Sequence, residues 1–140
     1  MIRALFLLTL ALVFSTPVRA VPDLSAPEAY AKARAGEVRL IDIRTPEEWR
    51  QTGVAPGAGR VDFYRGPQSL TDYILQQVGG DRDAPIALIC RTGNRTTQAQ
   101  RYLQGIGFTH VYNVREGMAG SAAGPGWLRR GLPVEACGQC

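Results

Sequence analysis

The chain has one histidine, His110, and one lysine, Lys32, among its 140 residues. A Ser–His–Asp triad or a histidine-rich metal site therefore has a single imidazole to draw on, and a catalytic lysine has one candidate. Charge is modest: 20% of residues are charged and the formal net charge is +4. Arg3 and Arg19 belong to the leader described below. Without them 14 basic residues face 12 acidic ones, and the remaining arginines are dispersed. Nucleic acid is not an expected partner. No apolar run reaches the ~20 residues that span a bilayer. Cysteine is scarce and odd in number: Cys90 stands alone, while Cys137 and Cys140 form a Cys-x-x-Cys at the end of the sequence. Hydrophobic content is nevertheless 45%, that of an ordinary globular protein, and the length suits one domain.

The N-terminal segment reads as an address. Arg3 is followed by residues 4–14, apolar apart from Thr9, then by the polar break Ser15-Thr16-Pro17. Val18-Arg19-Ala20 places small residues at the −3 and −1 positions of a cleavage site. This is the pattern of a secretory signal peptide. Residues 1–20 are expected to be removed, leaving a secreted or periplasmic chain that starts at Val21 and keeps no stable membrane anchor. Such a compartment tolerates disulfides.

From Val21 onward, helical and strand periodicities alternate. Ser25-Ala26-Pro27-Glu28 is a capping box opening a short helix that closes at Gly36. VRLIDI (38–43) is a β-rich run, and Thr45-Pro46-Glu47-Glu48 opens a second short helix carrying Trp49. A Gly/Pro-rich loop over 53–59 leads to a short strand expected at 61–63. Residues 69–78 read as a helix, 86–90 (IALIC) as a buried strand, 96–106 as a helix and 110–114 as the last strand. Short apolar strands alternating with helices predict a parallel sheet covered on both faces.

The stretch IALICRTGNRTT (86–97) carries the chemistry. A cysteine ends a buried strand, a turn containing Gly93 and Asn94 follows, and a helix begins. Glycine and asparagine tolerate the left-handed backbone that a tight loop requires. Such a strand-loop-helix gathers free backbone N–H groups around one point, backed by the positive end of a helix dipole. A thiol at its centre is expected as the nucleophilic thiolate. Arg91 and Arg95 add positive charge beside it, and the hydroxyls of Thr92 and Thr96 are placed to donate hydrogen bonds. Asp42 and Arg44 end the first strand, where ligands bind in a parallel α/β sheet. Asp42 is expected either to hydrogen-bond the loop or to pair with an arginine and hold it in position. His110, Trp49 and Trp127 read as structural, and Glu47, Glu48, Asp81 and Asp83 as solvated charges.

Residues 24–134 resemble a single-domain rhodanese-like sulfurtransferase of the secreted bacterial type. The resemblance rests on LIDIRTPEEW (40–49), CRTGNRT (90–96), GFTHVYNVREGM (107–118) and GPGWLRRGLPV (124–134). It implies a three-layer α/β/α sandwich on a five-stranded parallel sheet, with Cys90 as the sulfur-carrying nucleophile. It also implies a cycle between a small anionic sulfur donor, such as thiosulfate, and a thiophilic acceptor, such as cyanide or a thiol. No metal or other cofactor is required. One motif departs from the family: its usual Gly-His-Ile-Pro-Gly-Ala turn here reads Gly53-Val54-Ala55-Pro56-Gly57-Ala58. Thiolate phosphatases also pair a cysteine with an arginine, but their spacing is Cys, five residues, Arg. Here Cys90 and Arg95 enclose four residues, a loop that suits a sulfur atom on the thiol better than a tetrahedral oxyanion above it. A persulfide-carrying module without turnover is the other alternative. Residues 135–140 form a tail with little expected to pack against it. Its Cys137 and Cys140 are expected to be disulfide-bonded to each other, as a redox pair or an inert closure.

Overall fold

The computed structural model describes residues 21–140, so the leader read at residues 1–20 lies outside it. The elements in chain order are α1 (Ala26–Arg34), β1 (Arg39–Asp42), α2 (Pro46–Thr52), β2 (Gly59–Arg60), a 3-10 turn (Phe63–Arg65), α3 (Pro67–Gln77), β3 (Ile86–Ile89), α4 (Asn94–Gly105) and β4 (Val111–Asn113). Both capping boxes form. Ser25 accepts from the Glu28 N–H at 3.4 Å while Glu28 accepts from the Ser25 N–H at 2.8 Å. Thr45 and Glu48 do the same for α2 at 3.3 and 2.9 Å. Each box satisfies donors that the helix itself leaves open.

The strands form one parallel sheet in the order β2-β1-β3-β4. Their side chains alternate between two cores, as a two-residue period demands. Ile41, Ile86 and Leu88 pack with Leu70, Ile74, Ala99 and Leu103 of α3 and α4. Leu40, Ala87 and Ile89 pack on the opposite side with Ala26 and Ala29 of α1 and with Trp127. The result is three layers. Successive connections leave β1 and β3 on opposite sides, so the crevice for a ligand opens at their carboxyl ends.

The sheet has four strands where five were expected. Ahead of α1 only Leu24 makes a ladder-like bond, from its N–H to the Asn113 carbonyl at 3.0 Å. Pro22 has no N–H to continue it, so no strand forms along the outer edge of β4. The short strand expected at 61–63 also differs. Pairing with β1 is made by Gly59 and Arg60, and the chain then turns at Phe63–Arg65, where Asp62 caps the turn through the Tyr64 N–H. Aromatic content raised the strand signal there, but the Asp62 cap decided the local structure.

Candidate active site

Cys90 follows β3 and is 1% exposed. Its Sγ accepts the Gly93 N–H at 3.2 Å and lies 3.6 Å from Thr96 Oγ1. The loop is held in this curl from outside. The Cys90 carbonyl accepts from Met118 and the Arg91 carbonyl from Ala119, both at 2.9 Å. Gly93 has φ +87°, and a side chain there would collide with the Arg115 carbonyl. Gly117 has φ +69°, and a side chain there would strike the Arg91 carbonyl. Two glycines, one in the loop and one beneath it, therefore permit the close approach.

Asn94, Arg95 and Thr96 form the first turn of α4, which begins two residues earlier than the sequence pattern suggested. Gly93 offers no side chain to cap that helix, and Thr96 Oγ1 turns back to the Gly93 carbonyl at 3.0 Å. Among the described residues, the N–H groups of Arg91, Thr92, Asn94, Arg95 and Thr96 meet no protein acceptor. Together with the Gly93 N–H on the sulfur, they give the helix terminus the character of an anion site. The side chain of Arg91 is exposed, Thr92 is half-buried and Asn94 is exposed.

Arg95 is placed by a residue that sequence reasoning set aside. Its Nη1 and Nη2 both donate to the Glu48 carboxylate at 2.7 Å, a bidentate pair, and its guanidinium lies 5.6 Å from the Tyr64 ring centre. Glu48 is thus not a solvated charge. Burial alone would raise its pKa, but the hydrogen bonds from Arg95 and from the Thr45 N–H outweigh burial and hold it at about 2. The same bond to Glu48 raises the Arg95 pKa, and the field of nearby Cys90 adds to it. Glu48 closes the capping box of α2 and grips Arg95 at once. The capping motif was visible in sequence, whereas a partner 47 residues away was not.

Asp42 and Arg44 are buried, at 0% and 1% exposure. Of the two roles expected for Asp42, the structure takes the second: it pairs with Arg44 and does not touch the Cys90 loop. Arg44 Nε bonds both Asp42 oxygens at 3.0 Å, and Nη2 bonds Asp42 Oδ2 at 2.7 Å. The remaining N–H groups reach the Gly53 carbonyl at 2.9 Å, Thr52 Oγ1 at 2.7 Å and the Glu48 carbonyl at 3.4 Å. The pair therefore clamps the end of α2 to the end of β1, and α2 in turn presents Glu48 to Arg95. Another missed residue is Glu116, 2% exposed, which accepts from the N–H groups of Ala26 and Gly126 and from Arg130 Nε at 2.6 to 2.9 Å. It fixes the segment that carries Gly117 and Met118 beneath the loop.

His110 lies at the other end of the sheet, exposed, with Nδ1 2.9 Å from Thr109 Oγ1. Trp127 is fully buried and donates to the Pro133 carbonyl at 2.9 Å. Trp49 is also buried. Among the described residues, no group of three His, Cys, Asp or Glu side chains is arranged to hold a metal ion. Cys137 and Cys140 are disulfide-bonded, and the tail does find a docking place, on Val54, Arg50 and Arg60.

A relative named sulfurtransferase, from Allochromatium vinosum, is 36% identical over 100 residues, covering 71% of this chain and 80% of the relative. Among solved structures, the polysulfide-sulfur transferase homodimer of Wolinella succinogenes superposes with a TM-score of 0.63 at 26% identity, covering 85% of this chain and 80% of that one. The rhodanese-like domain of an Anabaena protein gives 0.65 at 20% identity over 86% and 83% of the two chains. Residues 25–123 match the family described as rhodanese-like domain. With the cysteine loop, the parallel sheet and that match in agreement, the chain belongs to the rhodanese-like domain family.

Proposed function

We propose that the protein is a sulfurtransferase in which Cys90 carries the transferred sulfur. One observation carries this reading: Cys90 Sγ accepts the Gly93 N–H just ahead of α4, in a loop and first helical turn whose five further N–H groups have no protein acceptor. These groups suit a small anionic sulfur donor, with thiosulfate the first to test. The Cys90 thiolate attacks the outer sulfur of thiosulfate. The donor S–S bond breaks, and sulfite leaves with the electron pair. Cys90 then bears a persulfide anion whose terminal sulfur lies among the same N–H groups, which stabilise charge both there and on the departing sulfite. Cyanide or a thiol attacks that outer sulfur next. With cyanide, thiocyanate leaves and the Cys90 thiolate returns. Neither half of the cyanide cycle moves a proton, which suits a sulfur whose polar neighbours are an amide N–H and a hydroxyl. The Allochromatium and Wolinella relatives, both named for sulfur transfer, support the same reaction class.

Steady-state formation of thiocyanate from thiosulfate and cyanide tests the proposal. Wild type is expected to turn over and Cys90→Ser to be inactive. Wild-type activity in the serine variant would overturn the mechanism. A Cys90 persulfide that forms but does not turn over would make the protein a carrier delivering sulfur to a partner protein.

A further inference from the structure

The tail after α4 and β4 brings a second pair of sulfurs to the carboxyl end of the sheet, the end at which Cys90 lies. Glu135 makes a two-bond antiparallel bridge with Val54, at 2.9 and 2.8 Å, and Arg50 Nη1 donates to the Cys140 carbonyl at 2.6 Å. Beyond the bridge, Cys137 and Cys140 form a half-buried disulfide. Arg60 Nη1 points at both of its sulfurs, 2.7 Å from Cys137 Sγ and 3.1 Å from Cys140 Sγ. Arg60 is the last residue of β2. It pairs with Asp42, which pairs with Ile89, the residue before Cys90. Two strand spacings of about 4.8 Å each therefore separate the Arg60 and Ile89 backbones. The tail is held at Glu135, and the five residues beyond it extend by at most about 17 Å, so Cys140 has the longer reach of the two tail thiols.

The chemistry of the pair favours exchange over stapling. A disulfide that closes so short a loop gains little from chain entropy. A guanidinium donating to both sulfurs stabilises the thiolate that reduction produces, which makes the pair easier to reduce. Nothing in the packing of the domain calls for a cation on these sulfurs.

We propose, resting on the sulfurtransferase reading above, that Cys137 and Cys140 form an internal dithiol acceptor that discharges the Cys90 persulfide as hydrogen sulfide. With the pair reduced, one tail thiolate attacks the outer sulfur of the persulfide, and the Cys90 thiolate leaves. The tail cysteine now bears the persulfide. The second tail thiol passes its proton to the outer sulfur as it attacks the inner one, the Cys137–Cys140 disulfide closes, and hydrosulfide departs. The sulfane sulfur gains two electrons, the two tail thiols lose two, and an external dithiol reductant reopens the disulfide for the next cycle. Arg60 acts as a positioning residue that holds the tail thiols and favours their thiolate form.

The test uses the chain from Val21, fully reduced, freed of reductant under anaerobic conditions and given one equivalent of thiosulfate without cyanide or thiol. Wild type is expected to release one sulfite and one sulfide per chain, to lose two hydrogens as the tail disulfide closes, and to keep no added sulfur. Cys140→Ser is expected to release sulfite, no sulfide, and to retain one extra sulfur. Arg60→Gln should shift the pH profile of sulfide release upward by about one unit, with Arg60→Lys restoring much of it, while thiocyanate formation from cyanide is unchanged. If wild type releases sulfite yet keeps the sulfur on Cys90 with both tail thiols free, the tail is an inert closure and the relay is overturned. If no variant releases sulfite, the sulfurtransferase reading falls and takes the relay with it.

Discussion

Arg95 and Glu48 show how a single pair changes the meaning of a loop. An arginine beside an anion cradle is expected to hold the donor directly, but here both terminal nitrogens of Arg95 are already on the Glu48 carboxylate. Removing Arg95 therefore does more than delete a cation. It leaves a partly buried carboxylate beside the Cys90 loop, where it repels an anionic donor. Arg95→Ala should lower kcat/KM for thiosulfate at least ten-fold, the worth of one charge-assisted contact of roughly 1.5–3 kcal/mol. Adding Glu48→Gln to that variant should recover part of the loss. A double variant no better than Arg95→Ala would show that the two do not act as a pair. Glu48→Gln alone has a second readout, stability against pH. Because folding lowers the Glu48 pKa from 4.5 to about 2, its contribution is complete above pH 4.5 and disappears as pH falls toward 2. The stability gap between wild type and Glu48→Gln, measured by urea titration, should narrow over that interval. Cys90 and Gly93 were legible in sequence because the curl is local to one turn, whereas Asn94, read as a left-handed turn residue beside Gly93, is the first residue of α4 and Gly93 alone of the two takes the positive φ. Glu48 was not legible, because its role is set by a helix that tertiary packing alone brings to the loop.

At the scale of elements, α2 is a strut. Its first turn is closed by Thr45 and Glu48, its last by the Arg44 guanidinium, and its middle buries Trp49. The Asp42–Arg44 pair is buried enough that either charge alone would be stranded. Asp42→Asn keeps the shape and removes the counter-charge, so the variant should lose about 3–5 kcal/mol of stability in a urea titration. A loss below about 1 kcal/mol, the worth of an exposed pair, would mean that the clamp carries no such burden. The helices α1 and α2 were readable from their caps, since Ser-x-x-Glu and Thr-x-x-Glu are satisfied within four residues. The second strand was not. Two paired residues, Gly59 and Arg60, carry too little periodicity to announce a strand, and the apolar signal at 61–63 came from side chains that pack under the 3-10 turn.

Across the whole molecule, the parallel sheet gathers functional groups at one end. Cys90, the Asp42–Arg44 clamp and the Arg60-bound disulfide all lie at the carboxyl ends of neighbouring strands, while His110 lies at the opposite end. The alternation of helices with short, wholly apolar strands foresaw a sheet covered on both faces, because strands apolar on both sides of the pleat leave no solvated face. The family resemblance suggested one strand too many, and the single Leu24 bond marks where a fifth would add. The docking of the tail was invisible beforehand, since its anchors, Val54 and Arg60, are far away in the chain. Whether Cys90 carries the sulfur is decided by peptide-resolved mass spectrometry after exposure to thiosulfate. With the tail disulfide closed, the peptide containing Cys90 should gain one sulfur atom as one sulfite is released, and Cys90→Ser should gain none. Sulfur added elsewhere in the chain, with Cys90 unmodified, would contradict the account.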